Sequence, residues 1–426
     1  MSNALIDRFL GSAIKHGRLM ITMPSGARYE LGAPEPGYPE VAIRLTDNKA
    51  ARDILLDPRL GAGEAYMDGR IVIEQGDVMS LVQLIRMNKP FERGAELRGP
   101  SPWRKFRDRA KFLAGQVNEA RSSRRNVAHH YDIGNELYKL MLDPEHMQYS
   151  CAYWPRDGMT LAQAQEAKLA HIAAKLDLRR GQRVLDIGCG WGGMAIYLAK
   201  HFDMTVTGIT LSEQQLALAK QRAQDAGVAD RVSFQLVDYR DLAKQGHQFD
   251  RIVSVGMFEH VGRPQFEEFF RSCHNLLTDT GVMLLHTIGR FGGPGKTDAF
   301  TSKYIFPGGY IPALSETLAA SERCRLIHTD IETLRLHYAR TLREWYANCE
   351  ANREAIIAMM DERFYRMWTF YLAGATAAFE SGGMGNYQIQ FAKNRHTLPL
   401  TRDYMGETEK NLLGQAASAG SRLNQT

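Results

Sequence analysis

No stretch of this sequence is long and apolar enough to span a bilayer, since no uninterrupted run approaches the ~18 residues a membrane helix needs. The amino terminus, Met1-Ser2-Asn3-Ala4-Leu5-Ile6-Asp7-Arg8, has an acid early and no long apolar region, so it does not resemble a secretory signal. Cysteine is scarce. Cys151, Cys189, Cys273, Cys324 and Cys349 are odd in number and lack any C-x-x-C spacing, which supports neither a disulfide framework nor a zinc site. The expectation is a cytosolic chain with no metal. At 426 residues it is too long for one small core and suggests two domains or three. With 44% hydrophobic and 24% charged residues it has an ordinary globular composition.

A further absence selects among ligands. Val184-Leu185-Asp186-Ile187 reads as a short strand, and Gly188-Cys189-Gly190-Trp191-Gly192-Gly193 as a tight turn opening a helix. That is the cradle of a nucleotide-type ligand, where bare backbone must approach closely. A nicotinamide site wants an acid about 20 residues further on for a ribose hydroxyl. The next strand instead reads Thr205-Val206-Thr207-Gly208-Ile209-Thr210-Leu211-Ser212, with no acid. Asp186, before the glycines, suits a ligand with a positive charge beside a ribose, as in S-adenosylmethionine. A purely structural glycine turn and a site for another nucleotide are the competing readings.

From residue 127 strands and helices alternate. An approach helix over 159–178 is followed by strands at Val184, Thr205, Val232, Arg251 and Val282, with helices between them. This predicts an α/β fold, a doubly wound, mostly parallel sheet covered on both faces, with ligands beyond the strands' carboxyl ends. Asp186, Thr210, Asp238, Glu259 and His286 collect at that edge.

Ahead of it, residues 1–90 predict a small α+β domain. It has a helix from Ser2, a hairpin about Pro24-Ser25-Gly26, a strand at 41–45 and a helix ending near Gly61. Residues 91–126 predict a linker. Between Ser101 and Asn126 eight cations, Arg104, Lys105, Arg107, Arg109, Lys111, Arg121, Arg124 and Arg125, oppose Asp108 and Glu119, an excess larger than the +5 of the whole chain. Trp103, Phe106 and Phe112 interleave with them, as on a helix resting at an anionic membrane surface. A solvated interdomain helix is the plainer alternative, and no motif that reads nucleic acid accompanies the charge. Residues 127–426 complete the chain as the catalytic domain, with aromatic helices over 341–380, a closing strand over 385–392 and a frayed tail after Tyr404.

Six motifs then carry a resemblance. Tyr131-Asp132-Ile133-Gly134-Asn135, Tyr149-Ser150-Cys151-Ala152-Tyr153-Trp154, the glycine turn, Gly208-Ile209-Thr210-Leu211-Ser212, Phe258-Glu259-His260-Val261-Gly262 and Leu336-His337-Tyr338-Ala339-Arg340-Thr341-Leu342 stand in the order of the cyclopropane-fatty-acyl-phospholipid synthases. The mycolic acid cyclopropane synthases share most of them. The resemblance implies a class I, Rossmann-like methyltransferase that adds a methylene from S-adenosylmethionine to the cis double bond of a phospholipid acyl chain, with bound bicarbonate as base. It places the cofactor on Tyr149, Ser150, Asp186, Gly188, Gly190, Thr210, Leu211 and Gln215, with Asp238 and Tyr239 at the adenine. It places the bicarbonate on Cys151, Glu259, His286, Tyr338 and the backbone of Ile288. Each has a duller reading, such as a buried hydrophobe for Cys151 or core packing for His286 and Tyr338.

The implied partner is a phospholipid membrane with unsaturated acyl chains, met from the cytoplasmic side. Drawing ~8 methylenes of such a chain into water costs roughly 6 kcal/mol, so an apolar passage is required. Tyr149, Tyr153, Trp154 and Phe258 are candidates to shelter a transient carbocation. The oligomeric state is not legible, although relatives are often dimers, which leaves a homodimer as a candidate. Where some relatives carry a cysteine in the late aromatic helix, this chain has Ala375. A methyl-branched or methylene product, a small-molecule methyltransferase and a lipid-binding protein with a vestigial fold are the alternatives.

Overall fold

The computed structural model describes residues 14–94 and 134–423. The expected helix at Ser2, the basic segment 101–126 and Tyr131-Asp132-Ile133 lie outside them. By internal contacts the chain divides into two compact units.

The first unit is built on a four-stranded sheet of β1 (Gly17–Thr22), β2 (Arg28–Ala33), β3 (Glu40–Leu45) and β4 (Ile71–Gln75), in the order β2-β1-β3-β4. The hairpin forms as expected, its turn closed by Gly26 N–H donating to Met23 O at 2.9 Å with Gly26 at φ +82°. Alternation along the strands buries Leu19, Ile21, Val41 and Ile43 against helix Val78–Met87, where Leu84 is fully buried. The helix expected to end near Gly61 is two, Asn48–Leu56 and Leu60–Met67. Pro58 causes the break by driving Asp57 out of helical conformation, to φ −145°.

This unit also takes chain that the sequence assigns to the catalytic domain: residues 297–307 and 339–384. The boundaries at 90 and 126 therefore do not follow the division by contacts. Helix Glu362–Glu380 packs on Val78–Met87 and Leu60–Met67. Gln83 Nε2 donates to Glu380 Oε2 at 2.7 Å, and Gly63 is bare because a Cβ there would meet Phe300 at 2.5 Å. Trp368 of the expected aromatic stripe is 1% exposed, and its ring lies 5.9 Å from Phe364 and 5.5 Å from Tyr371. Linear reading cannot see such an exchange, because an apolar helix face says that it is covered but not by what.

The second unit is the doubly wound domain. Strands β5 (Arg183–Ile187), β6 (Thr205–Thr210), β7 (Val232–Leu236), β8 (Phe249–Val255), β9 (Leu277–Arg290), β10 (Ile327–Leu334) and β11 (Met384–Ala392) form one sheet in the order β10-β11-β9-β8-β5-β6-β7. β5 pairs in parallel with both β6 and β8, β6 with β7 and β8 with β9, and β10–β11 is antiparallel. The mostly parallel sheet of the expectation is present. Its direction of winding reverses on either side of β5, so the crevice at that strand's carboxyl end is the natural ligand position.

The approach helix is Leu161–Lys175, started by a capping box of Thr160 and Gln163. The tail expected to fray is instead helix Asp403–Leu423. It packs on Leu161–Lys175 with Met405 and Leu412 buried, and Glu409 Oε2 meets His171 Nδ1 at 2.9 Å. Its small, polar composition hid a narrow apolar stripe. Among the described residues no helix is long and apolar enough to cross a membrane.

Candidate active site

The crevice is assembled from backbone first. After β5 the chain turns through Gly188 and Gly190, both at positive φ. A Cβ on Gly188 would meet Met257 at 2.7 Å, whereas one on Gly190 would enter open space within the pocket. β6 ends in Thr210, whose hydroxyl donates to Gln215 Oε1 at 2.9 Å, and Ser212 caps helix Glu213–Asp225. β7 leads to Asp238, which caps helix Tyr239–Lys244 and holds Arg240 through both oxygens at 2.7 and 2.8 Å.

All ten residues expected to hold the cofactor line this one pocket: Tyr149, Ser150, Asp186, Gly188, Gly190, Thr210, Leu211, Gln215, Asp238 and Tyr239. Trp191, Met257, His260 and Gln265 join them, unanticipated. The electrostatic centre is formed by two buried groups, Asp186 and Lys168, that influence each other through charge. Asp186 is 1% exposed, and burial pushes its carboxyl up to about 7 against the lowering by Lys168 and the Ala195 backbone N–H. Lys168, fully buried, is lowered by burial to about 7 against Asp143, Cys151 and Asp186. Its ammonium donates to Gln148 Oε1 and, at 3.0 Å, to Ser150 Oγ, both pocket residues.

Sequence reasoning missed Lys168. The signal was available, because at helical spacing it shares the stripe of Leu161, Gln165 and Ile172, where a lysine is out of place unless paired.

None of the expected base-holding residues is among the residues that line the pocket. Glu259 lies on the 3-10 turn Phe258–His260, just after the pocket wall at Val255–Met257. Its Oε1 accepts the Ile288 N–H at 2.6 Å, while Oε2 is buried with no partner of good geometry. Burial raises this carboxyl to about 7, opposed by the Ile288 N–H, its own N–H and the Thr287 hydroxyl. The structure thus joins Glu259 to Ile288, and directs the Ile288 N–H to a carboxyl.

His286, two residues earlier on β9, is 1% exposed and held well below its usual pKa, by burial first and then by Lys168, Lys175 and His171. Its ring nitrogens meet Asn386 at 2.9 Å and Gln388 at 3.1 Å. Cys151 is fully buried, its thiol directed to Ala152 O at 3.3 Å and pushed up strongly by burial. Tyr338 is 8% exposed. Its neighbour His337 accepts the Trp154 N–H at 2.8 Å and stacks on Tyr153 at 5.0 Å, which ties the Cys151 and Tyr338 segments together.

Of the aromatic candidates, Tyr153 is stacked between His171 and His337. Phe258 is fully buried within 5.5 Å of Phe266, Phe269 and Phe270, so its ring serves the core.

A family model described as mycolic acid cyclopropane synthetase matches residues 118–389. The chain belongs to that family. It is 35% identical over 400 residues to a probable fatty acid methyltransferase of Pseudomonas putida, covering 92% of this chain and 96% of that one. It is 38% identical over 354 residues to the cyclopropane-fatty-acyl-phospholipid synthase of Escherichia coli, covering 82% and 87%. Among solved structures, a mycolic acid cyclopropane synthase complexed with SAH and CTAB superposes with a TM-score of 0.59 at 33% identity, over 63% of this chain and 98% of that one.

This member of the family is an S-adenosylmethionine-dependent methyltransferase. The pocket fits that molecule on its own terms. Asp186 Oδ2 is buried without a hydrogen-bond partner, an acceptor suited to a ribose hydroxyl or an ammonium, and Gly190 leaves the space beside it that a side chain would fill.

Proposed function

We propose that the protein transfers a methylene group from S-adenosylmethionine to the cis double bond of phospholipid-bound unsaturated acyl chains, giving cyclopropane fatty acids, with bicarbonate as the base. When bound, the first supplies an electrophilic methyl carbon and the second a compact base. The observation that carries the reading is Glu259, a buried carboxyl raised to about 7, with one oxygen fixed by the Ile288 N–H and the other without a protein partner of good geometry, just past the wall of the cofactor pocket. Such a group shares a proton with a small oxyanion, whereas an ionised carboxylate would repel it.

His286, Cys151 and Tyr338 complete the donors to that anion. Burial of Cys151 and His286 keeps both neutral, so they offer hydrogen bonds without adding charge. An alkene is a weak nucleophile, and its methylation leaves a positive carbon that water would trap. Tyr149 and Trp154, from one motif beside Cys151, offer aromatic faces that stabilise such a carbon by ~2 kcal/mol or more when dry. The enzyme then works from the cytoplasmic side on a membrane surface that it meets peripherally.

The name and coverage of the Escherichia coli relative support the cyclopropane product. The Pseudomonas putida relative, aligned over still more of the chain, favours a second reading in which the same cation loses a different proton and gives a methyl-branched or methylene product. Expression followed by mass spectrometry of phospholipid acyl chains is the test. A gain of one CH2 is expected on unsaturated chains, with cyclopropane signals in the proton spectrum. No gain sinks both readings, and vinyl or branched-methyl signals favour the second. Activity in carbonate-depleted buffer, restored by added bicarbonate, is expected for the base; activity that ignores bicarbonate removes it.

A further inference from the structure

The reading of His286 as an anion donor leaves open which of its nitrogens carries the proton, and the surrounding amides decide it. A neutral imidazole has one N–H and one lone pair. Gln388 and Asn386, both on β11 and essentially fully buried, each meet one ring nitrogen, so one amide must present nitrogen and the other oxygen. A carboxamide exchanges the two by a half-turn with almost no change of shape.

Gln388 is not free to make that turn. Lys175, 2% exposed and ion-paired with Glu332, donates to Gln388 Oε1 at 2.9 Å. An ammonium has donors and no acceptor, so the oxygen of Gln388 must face Lys175 and its nitrogen must face His286 Nδ1. Nδ1 therefore carries the lone pair, and Asn386 is the amide that turns its oxygen inward.

We propose that Lys175 and Gln388 are positioning residues that lock His286 in the tautomer protonated on Nε2. The inference rests on the bicarbonate reading for its purpose, since the Nε2–H held by Asn386 is the one ring donor an entering anion could share, but not for its geometry. Fixing a histidine's tautomer through a neighbour is worth up to about 10⁴ in kcat in a serine protease triad.

The test uses the full-length protein labelled with ¹⁵N-histidine. The His286 signals among the 13 histidines are assigned by their loss in His286→Gln. Expected is a pyridine-type Nδ1 and a pyrrole-type Nε2; the opposite pattern overturns the proposal. In Gln388→Glu the new carboxylate accepts from Nδ1–H, so the pattern should reverse. With it kcat should fall on the order of 10²-fold or more, while KM for S-adenosylmethionine stays within about twofold. An unreversed pattern overturns the lock. Lys175→Met, which frees Gln388 to turn, should give mixed signals and a smaller loss, and Lys175→Arg should restore the native pattern. If the wild-type pattern is as expected yet activity ignores bicarbonate, the base assignment falls and the lock stands.

Discussion

Burial raises two carboxyls to about 7, Asp186 in the pocket lining and Glu259 just past its wall, and the proposed function gives them different uses. Replacing Glu259 with Gln keeps an acceptor for the Ile288 N–H but removes the shared proton. The expected result is a fall in kcat of about 10²-fold, with SAH affinity unchanged, read by turnover on unsaturated lipid vesicles and by calorimetry.

The same substitution has a stability signature. The folded pKa of Glu259 is raised from 4.5 to about 7, so its contribution is fully present below pH 4.5 and lost as pH rises through 7. Melting of Glu259→Gln relative to wild type should therefore improve from pH 5 to pH 8, as measured by calorimetric scans at the two values. For Asp186, the charge of Lys168 is the strongest influence that lowers its pKa against burial. Lys168→Met should raise the carboxyl further, so that SAH binds about fivefold more weakly at pH 7 for a rise of one pKa unit. The deficit should shrink above pH 8, where Asp186 ionises again; a pH-independent deficit contradicts the assignment.

At this scale the residues that line the pocket were legible in two ways: Asp186, Gly188, Gly190, Thr210, Leu211 and Asp238 lie at or just past the ends of strands, whereas Tyr149 and Ser150 came only from the motif resemblance. The partners of His286 were not. Asn386 and Gln388 lie some hundred residues away, joined to it only by the placing of β11 between β9 and β10.

Elements were legible where their period was strong and local. β5 through β8, and the helices that follow β5 and β6, fall within a few residues of expectation, since near-continuous apolar runs and capping residues mark their ends, whereas the short helix Tyr239–Lys244 was not foreseen. β10 was missed. Its Ile327-His328-Thr329-Asp330-Ile331-Glu332 is an edge strand whose exposed side carries two isoleucines, and whose Glu332 is drawn into ion pairs with His171 and Lys175. The terminal helix was misread as frayed, because Met405, Glu409 and Leu412 are a sparse stripe, and only the partner helix shows that they are covered.

That stripe makes a prediction about the element. Leu412 is 4% exposed within the core around Ala170, Ala173 and Leu198. Leu412→Ala should cost about 2–4 kcal/mol, seen as a lower urea midpoint for the unit containing the parallel sheet. If the midpoint is unchanged, the helix adds nothing to that unit's stability, and its Glu409–His171 contact is ornamental.

At the scale of the whole chain, one property rests on sequence alone. An enzyme acting on acyl chains gains by dwelling at the lipid surface, because each methylene left in the bilayer is one not exposed to water on the way to the site. The segment 101–126 concentrates the basic excess, and every cation near an anionic surface contributes about 1 kcal/mol. Changing Arg121, Arg124 and Arg125 to Ser together should weaken binding to anionic vesicles by about 10²-fold, the equivalent of roughly 3 kcal/mol. Raising the salt should erase the difference, since the Debye length falls to ~3 Å at 1 M. Sedimentation with phosphatidylglycerol vesicles measures the first effect, and the same assay with neutral vesicles should show little of it. Turnover on lipid dispersed in neutral detergent should be unaffected by the triple change, because no anionic surface is then present for the three arginines to meet. If binding to anionic and neutral vesicles is equally indifferent to the three charges, the attraction to membranes must be apolar, and the basic segment serves another purpose.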